Sequence, residues 1–290
     1  MTMVMESAAP VGEVGALAEL LRGRRVVALA GAGCSTESGI PDYRGPEGKQ
    51  KVRRPIQYRE FMGSPEARVR YWARSTVGWR RVAEARPNPG HRALADLEAA
   101  EVVTGLITQN VDGLHQTAGS RRVVELHGAL DRVRCMTCGA QCSREEQQER
   151  LLGWNADWAG WVAAQPFAIA PDGDAELPPE LLRRFRVPAC ASCGGILKPD
   201  VVFFGENVPA SILDAAWQLF ERAEVLLVVG SSLTVYSGRR FLYRARDRGI
   251  PIAIVNLGTT RGDDLATFKV EGRLGEVLPG VAKVLGAPAS

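Results

Sequence analysis

The sequence predicts an α/β protein: a parallel sheet with helices on both faces, interrupted by a smaller inserted lobe. Three observations predict it. Short runs of β-branched and other apolar residues, such as Val225 to Val229, alternate with amphipathic stretches of helical length, and strands apolar at every position are those buried on both faces of a parallel sheet. Polar, glycine-bearing loops follow the apolar runs, as at Gly31 and Gly113. Residues 45–87 and 130–200 break this rhythm, and the second stretch carries paired cysteines and a Trp-rich insert (Trp154, Trp158, Trp161).

Taken in order, Glu13 to Arg22 has apolar residues at helical spacing (Val14, Leu17, Leu20, Leu21) and feeds a buried strand, Arg25 to Ala30. Asn88–Pro89 supplies an N-cap and a first-turn proline for a helix over His91 to Ala100, and Val102 to Thr108 follows as a strand. Further strands are expected at Val123 to Leu126, Val225 to Val229 and Ile252 to Val255. Helices at Pro209 to Arg222 and Gly238 to Arg248 separate them. The expected division is a large domain from 13–44, 88–129 and 201–285, a helical insertion at 45–87, and a cysteine-bearing module at 130–200.

With 290 residues and a formal net charge of +3, from 36 Lys+Arg against 33 Asp+Glu, the chain is long enough to bury a core. It carries too little net charge for a dedicated nucleic-acid or membrane-surface binder. Only five of the basic residues are Lys, a bias toward Arg and not a recognition surface. The opening MTMVMESAAPVG resembles neither a secretory nor a mitochondrial address, and no apolar run is long enough to span a bilayer. A cytoplasmic location is expected.

Four of the six cysteines form two CxxC pairs, Cys135 with Cys138 and Cys190 with Cys193. Two such knuckles supply the four thiolates of a closed, tetrahedral, structural Zn²⁺ site; a pair of redox motifs is the rival. The 51 residues between the knuckles must fold back on themselves. Cys34 and Cys142 are left over as small buried or tolerated residues.

Gly31–Ala32–Gly33 after a strand lets backbone approach a pyrophosphate at a following helix N-terminus. Thr36 stands where the usual third glycine would be, so a tight strand-exit turn is the alternative. Thr108–Gln109–Asn110–Val111–Asp112–Gly113–Leu114–His115 follows another strand, with amide and carboxylate groups suited to ribose hydroxyls or a carboxamide. His127, one of three histidines, ends a strand beside Gly128. It is either a general base reaching into a cleft or a hydrogen-bonded core residue.

Taken together, Gly31 to Arg44, Thr108 to His115, Glu125–Leu126–His127–Gly128, the two CxxC pairs, Lys198 to Glu206, Gly230–Ser231–Ser232–Leu233 and Val255–Asn256 resemble, in order, the motifs of the sirtuins, NAD-dependent protein lysine deacylases. The resemblance spans roughly residues 13–285, and an ordered series is far more specific than any one member. It implies a Rossmann-like large domain with a zinc-binding and helical small lobe, the active site lying between them.

The resemblance further implies NAD⁺ as a consumed cosubstrate, structural zinc, and an acyl-lysine protein or peptide as the partner of a monomer. Gly31, Ala32 and Gly33 would lie against the diphosphate, with Ser35, Thr36, Asp42, Tyr43 and Arg44 completing that loop. Gln109, Asn110 and Asp112 would line the nicotinamide and ribose pocket, Asn110 and Asp112 also serving the chemistry. Gly230, Ser231, Ser232, Asn256, Leu257, Gly258 and Leu274 would hold the adenosine side.

In that family the acyl oxygen attacks C1′ of the nicotinamide ribose, nicotinamide leaves and an alkylimidate forms. His127 would then take a ribose hydroxyl proton, leading to free lysine and 2′-O-acyl-ADP-ribose. Val201, Val202, Phe203, Phe204 and Gly205 would line the acyl-lysine channel and offer backbone to an extended peptide. Arg54–Pro55–Ile56–Gln57, Arg70 to Arg74, Val77–Gly78–Trp79, Pro171 to Asp174 and Asp263 to Ala266 look like the class II branch, in which acyl groups larger than acetyl are implicated. Tyr71 and Arg74, at i and i+3, match a Tyr/Arg pair that grips an acyl carboxylate; the alternative is Tyr71 in the core and Arg74 solvated or ion-paired. Protein mono-ADP-ribosyltransfer and a non-catalytic NAD or zinc binding module are the competing functions.

Overall fold

The computed structural model describes residues 11–42, 55–163, 175 and 177–288. The chain opens with α1 (Val11–Leu21) and β1 (Val26–Ala30), then two 3-10 turns at Ala32–Cys34 and Thr36–Ser38. Next come α2 (Tyr58–Gly63), α3 (Pro65–Glu84), α4 (Pro89–Ala99), β2 (Val103–Thr108), α5 (Leu114–Thr117) and β3 (Val123–Glu125). β4 (Gly128–Cys135), β5 (Gln141–Ser143), α6 (Arg144–Trp154), α7 (Ala156–Ala163), α8 (Pro179–Leu182) and β6 (Leu197–Val201) follow. The C-terminal run is α9 (Ala210–Phe220), β7 (Val225–Val229), α10 (Tyr236–Asp247), β8 (Ile252–Val255), β9 (Phe268–Val270) and α11 (Leu274–Val284).

Six parallel strands form the main sheet in the order β3-β2-β1-β7-β8-β9. Alternate residues of its apolar strands serve opposite faces. Val26, Ala28, Val225, Leu227 and Ala253 pack with Leu17, Leu94, Leu97, Val277 and Val281 of α1, α4 and α11. Val27, Leu29, Leu226, Val228 and Ile254 pack with Phe220, Phe241 and Leu242 of α9 and α10. The expected parallel sheet covered on both faces is therefore what forms.

The second sheet is antiparallel, β5-β4-β6. Its apolar face shares one core with α2 and α3: Phe61, Tyr71 and Trp72 pack in the same cluster as Val133, Leu151, Trp158, Leu197 and Phe203. Trp72 Nε1 donates to Leu197 O at 3.2 Å. Arg144 is buried there, bonded to Gln148 Oε1 and Ser75 O and stacked near Trp72 and Trp79. The insertion helices and the cysteine-bearing sheet thus hold one another up.

Among the described residues no helix is long and apolar enough to cross a membrane. The loop after β1 differs from expectation, since two 3-10 turns stand where a phosphate-binding helix would begin. Thr36, in place of a third glycine, donates its hydroxyl to Gly33 O at 3.1 Å and closes the turn locally.

Candidate active site

The site is built where the main sheet changes direction. β1 lies between β2 and β7, so the loops leaving β1 and β7 diverge and open a crevice at the strands' C-terminal ends. Glycines make this close approach possible. A Cβ on Gly31 would lie 2.7 Å from Ser231 Cβ, and one on Gly33 would lie 2.8 Å from Gly230 O. Gly33 N–H donates to that same carbonyl at 2.8 Å, and Gly230 itself needs φ +59°. The glycines are required first by backbone packing across the switch point.

A cleft of about 440 Å³ opens beside this crossing. Gly31, Ala32, Gly33, Ser35, Asp42, Gln109, Asn110, Asp112, His127, Gly230, Ser231, Ser232, Asn256 and Leu257 line it. Tyr71, Val201, Val202, Phe203, Phe204 and Gly205 line its other side. Four residues expected at the site do not line it. Thr36 is turned to its own loop, Gly258 accepts from Asn256 Nδ2 at 3.1 Å, and Leu274 is a core residue under Gly230. Arg74 is the fourth: its Nε donates to Ala175 O at 2.8 Å, while its own carbonyl accepts from Ala175 N. Tyr43 and Arg44 lie outside the described residues, as do Arg54 and Pro171 to Asp174.

Within the cleft a polar network fixes the loop after β2 to the loop after β1. Asn110 Nδ2 donates to Gly31 O at 3.0 Å and to Ser35 Oγ at 3.2 Å, and Ser35 Oγ donates to Asp112 Oδ2 at 2.7 Å. Asp112 Oδ1 accepts Leu114 N–H at 3.0 Å. Burial raises the Asp112 carboxyl above its usual range, and these donors oppose that shift. Gln109 Nε2 reaches Ser231 Oγ at 2.9 Å, tying β2 to the β7 loop. Below them Cys34 is a buried thiol pushed up to about 12 by desolvation, hence inert.

His127 stands at the junction of the two sheets. Its carbonyl accepts Val202 N–H at 2.8 Å, and the following Gly128, at φ +75°, leaves no room for a Cβ, which would sit 1.9 Å from Asp200 O. The ring has two partners: Nδ1 is 2.9 Å from Gln109 O, and Nε2 is 2.7 Å from Ser237 Oγ. A carbonyl only accepts, so Nδ1 carries the hydrogen and Nε2 the lone pair. Burial pushes the imidazole below its ordinary value, the Gln109 bond opposing, which leaves it neutral at neutral pH. Ser237, at the start of α10, was not singled out by the sequence; only the fold brings it to residue 127.

Across the cleft, Lys198 on β6 is buried with Nζ 2.9 Å from Glu206 Oε2, in contact with Val201 O and 4.5 Å from the Phe203 ring centroid. Glu206 Oε2 also accepts Phe203 N–H at 2.8 Å. Tyr58 N–H donates to Phe204 O at 2.9 Å. The Val201–Gly205 segment is thereby pinned from three directions. Tyr71 packs its ring on Phe61 and Phe203 at 5.5 and 5.2 Å between centroids.

The four paired cysteines converge. Cys135 Sγ is 3.5 Å from Cys193 Sγ, Cys138 Sγ is 3.8 Å from Cys190 Sγ, and all four sulfurs lie within 4.8 Å of one another. A tetrahedral Zn²⁺ with bonds of about 2.3 Å spaces its sulfurs about 3.8 Å apart, so the set fits structural zinc. Backbone N–H groups of Cys138 and Thr137 aimed at Cys135 hold its thiol down, and those of Ser192 and Cys193 do the same for Cys190, whereas the neighbouring sulfurs push Cys193 up; four thiolates this close call for a cation among them. Cys142 stands outside the set on β5.

The chain matches the Sir2 family over residues 31–237. It is 55% identical over 252 residues to NAD-dependent protein deacetylase 2 of Bradyrhizobium diazoefficiens, covering 87% of this chain and 91% of that protein. NAD-dependent protein deacetylase 1 of Streptomyces coelicolor is 53% identical over 270 residues, 93% of this chain and 89% of that protein. Among solved structures, a Sir2 variant with a deacetylated p53 peptide and 3′-O-acetyl ADP ribose superposes with a TM-score of 0.74 at 31% identity, over 95% of this chain and all of that one. A Sir2–p53 peptide–NAD⁺ complex gives 0.70 at 31% identity, over 93% and 98%. With a match over more than half its length, and relatives this similar over nearly their whole chains, this chain belongs to the Sir2 family.

Proposed function

We propose that the chain is an NAD-dependent protein lysine deacylase, yielding nicotinamide, the free lysine and 2′-O-acyl-ADP-ribose. The observation that carries the reading is a neutral imidazole, His127, with Nδ1–H on Gln109 O, in a cleft shared by the glycine crossing and the Val201–Gly205 segment. NAD⁺, when bound, supplies a glycosidic bond that breaks as the substrate's acyl oxygen comes up to C1′. Gly31 to Gly33 and Gly230 to Ser232 hold the dinucleotide, Asn110 and Asp112 orient the ribose and nicotinamide, and His127 takes the ribose proton. The Val201–Gly205 segment aligns the acyl-lysine; a poor amide nucleophile reacts only when held close and in line. Structural zinc on Cys135, Cys138, Cys190 and Cys193 holds the small sheet. The chain acts in this reading as a cytoplasmic monomer on acyl-lysine peptides, without nucleic acid or membrane.

The preferred acyl group is one beyond acetyl. Support for this finer reading is Tyr71 among the residues lining the cleft, with Arg74 one helical turn away on α3; Arg74 lies outside that lining, so an acyl carboxylate has to draw it from the Arg74–Ala175 contact. Matched acetyl-, succinyl- and glutaryl-lysine peptides, read by mass spectrometry with NAD⁺, test it. A preference for the acidic acyl groups that disappears in Arg74→Ala is expected. Equal rates across the panel, or a preference that survives in the variant, refute the acyl-carboxylate role.

A further inference from the structure

The base in this cleft does not present an open lone pair. Since Nδ1 gives its hydrogen to Gln109 O, Nε2 is the nitrogen left to accept a proton, and the Ser237 hydroxyl sits on it at 2.7 Å. Ser237 is 9% exposed and, like His127, faces the cleft. We propose that Ser237 is a proton relay: the ribose hydroxyl gives its proton to Ser237 Oγ while Oγ gives its own to His127 Nε2. The inference rests on the deacylase reading and on His127 as its base.

The exchange balances within the residues named. Ser237 loses one proton and gains one, the ring becomes imidazolium, and the ribose oxygen keeps the electron pair with which it attacks. The reverse exchange delivers the proton to the departing amine, and the ring returns to neutral. A hydroxyl suits this position because it donates to neutral Nε2 and accepts from Nε2–H after a rotation of its hydrogen, with no heavy atom moving. A carboxylate would favour the charged ring before the substrate arrives. The carboxylate of Asp112 is occupied elsewhere, by Ser35 Oγ and Leu114 N–H. The other titratable groups lining the cleft are Asp42, Glu206, Arg240, Tyr71 and Tyr236, and the ring's hydrogen bonds among the described residues go to Gln109 and Ser237.

The relay is also held in place from both sides. Gly238, next to Ser237, packs on the side chain of the residue whose carbonyl grips Nδ1; a Cβ there would lie 2.6 Å from Gln109 Oε1. Gln109 is anchored in turn to Ser231 Oγ. The start of α10, the end of β2 and the β7 loop therefore clamp one imidazole between a carbonyl and a hydroxyl.

Single-turnover formation of deacylated peptide tests the proposal. Ser237→Ala should slow it on the order of 10- to 100-fold with the KM for NAD⁺ and the melting temperature near wild type, and Ser237→Thr should recover much of the rate. In mixtures of light and heavy water, wild type should give a curved proton inventory with two protons in flight, and Ser237→Ala a linear one. A wild-type rate in Ser237→Ala overturns the relay, and so does a slowed variant whose inventory stays curved or which Thr does not rescue. His127→Ala separates the two levels: turnover retained there refutes the base itself, whereas turnover lost there with Ser237→Ala unaffected refutes only the relay.

Discussion

Acidification should weaken the floor of the active site through two buried imidazoles. His91 on α4 and His115 on α5 are each 1% exposed, their ring centroids 4.7 Å apart. His91 Nδ1 accepts Asn88 N–H at 3.4 Å in the cap of α4, and Asn88 Nδ2 donates to Cys34 O at 2.7 Å, so the pair sits directly behind the loop after β1. Burial, with a smaller push from Arg92, lowers His91 from 6.5 to about 4; burial and then His91 lower His115. The unfolded chain binds these protons first. The stabilisation is therefore full above the unfolded value of about 6.5 and is lost as pH falls toward the folded one.

Between about pH 7 and about pH 5, His91 alone should cost about 2 kcal/mol, out of about 3 kcal/mol for the whole shift. His115 adds in the same direction. Urea denaturation at the two pH values measures the loss. His91→Gln, which keeps an acceptor for the cap of α4, should reduce the difference by about 2 kcal/mol. An equal pH dependence in wild type and His91→Gln would refute the reasoning.

Two further perturbations follow from the small sheet. Stripping zinc with a chelator should release about one metal per chain and lower Tm by on the order of 5 °C or more, with activity falling because His127 immediately precedes β4 and Val201 ends β6; a chain with no metal and an unchanged melt would contradict the four-thiolate site. Glu206→Gln removes the counter-charge of buried Lys198, at a cost of about 3 kcal/mol, and should raise the KM for peptide more than that for NAD⁺ because it loosens Phe203. Equal effects on both constants would argue against a role for that pair in holding the peptide segment.

The elements legible in the sequence were those whose signal is local. Val225–Val229 and Ile252–Val255 form as read, because an uninterrupted apolar run of that length has few other stable places. The helix capped by Asn88 and Pro89 was legible for the same reason. The cysteine spacing disclosed a cluster whose ligands the fold had to bring together across 51 residues. β9 and α11 were missed: β9 has three residues, and α11 carries Pro279 inside it with Gly275 and Gly280 nearby, so its helical signal is blunted. The core shared by α2, α3 and the small sheet and the place of Leu274 under Gly230 are long-range outcomes of packing. So is the contact of Ser237 with a ring 110 residues away. No local pattern encodes them.

Nicotinamide release from NAD⁺, followed with and without an acyl-lysine peptide in wild type and in His127→Ala, addresses the whole account at once. Release that requires the peptide and that stops in the variant after at most one nicotinamide per chain, with no deacylated peptide formed and the variant's melt unchanged, is the result expected, because the imidazole acts after nicotinamide has left. Release that ignores the peptide, or that continues at the wild-type rate over many turnovers without the imidazole, would contradict it.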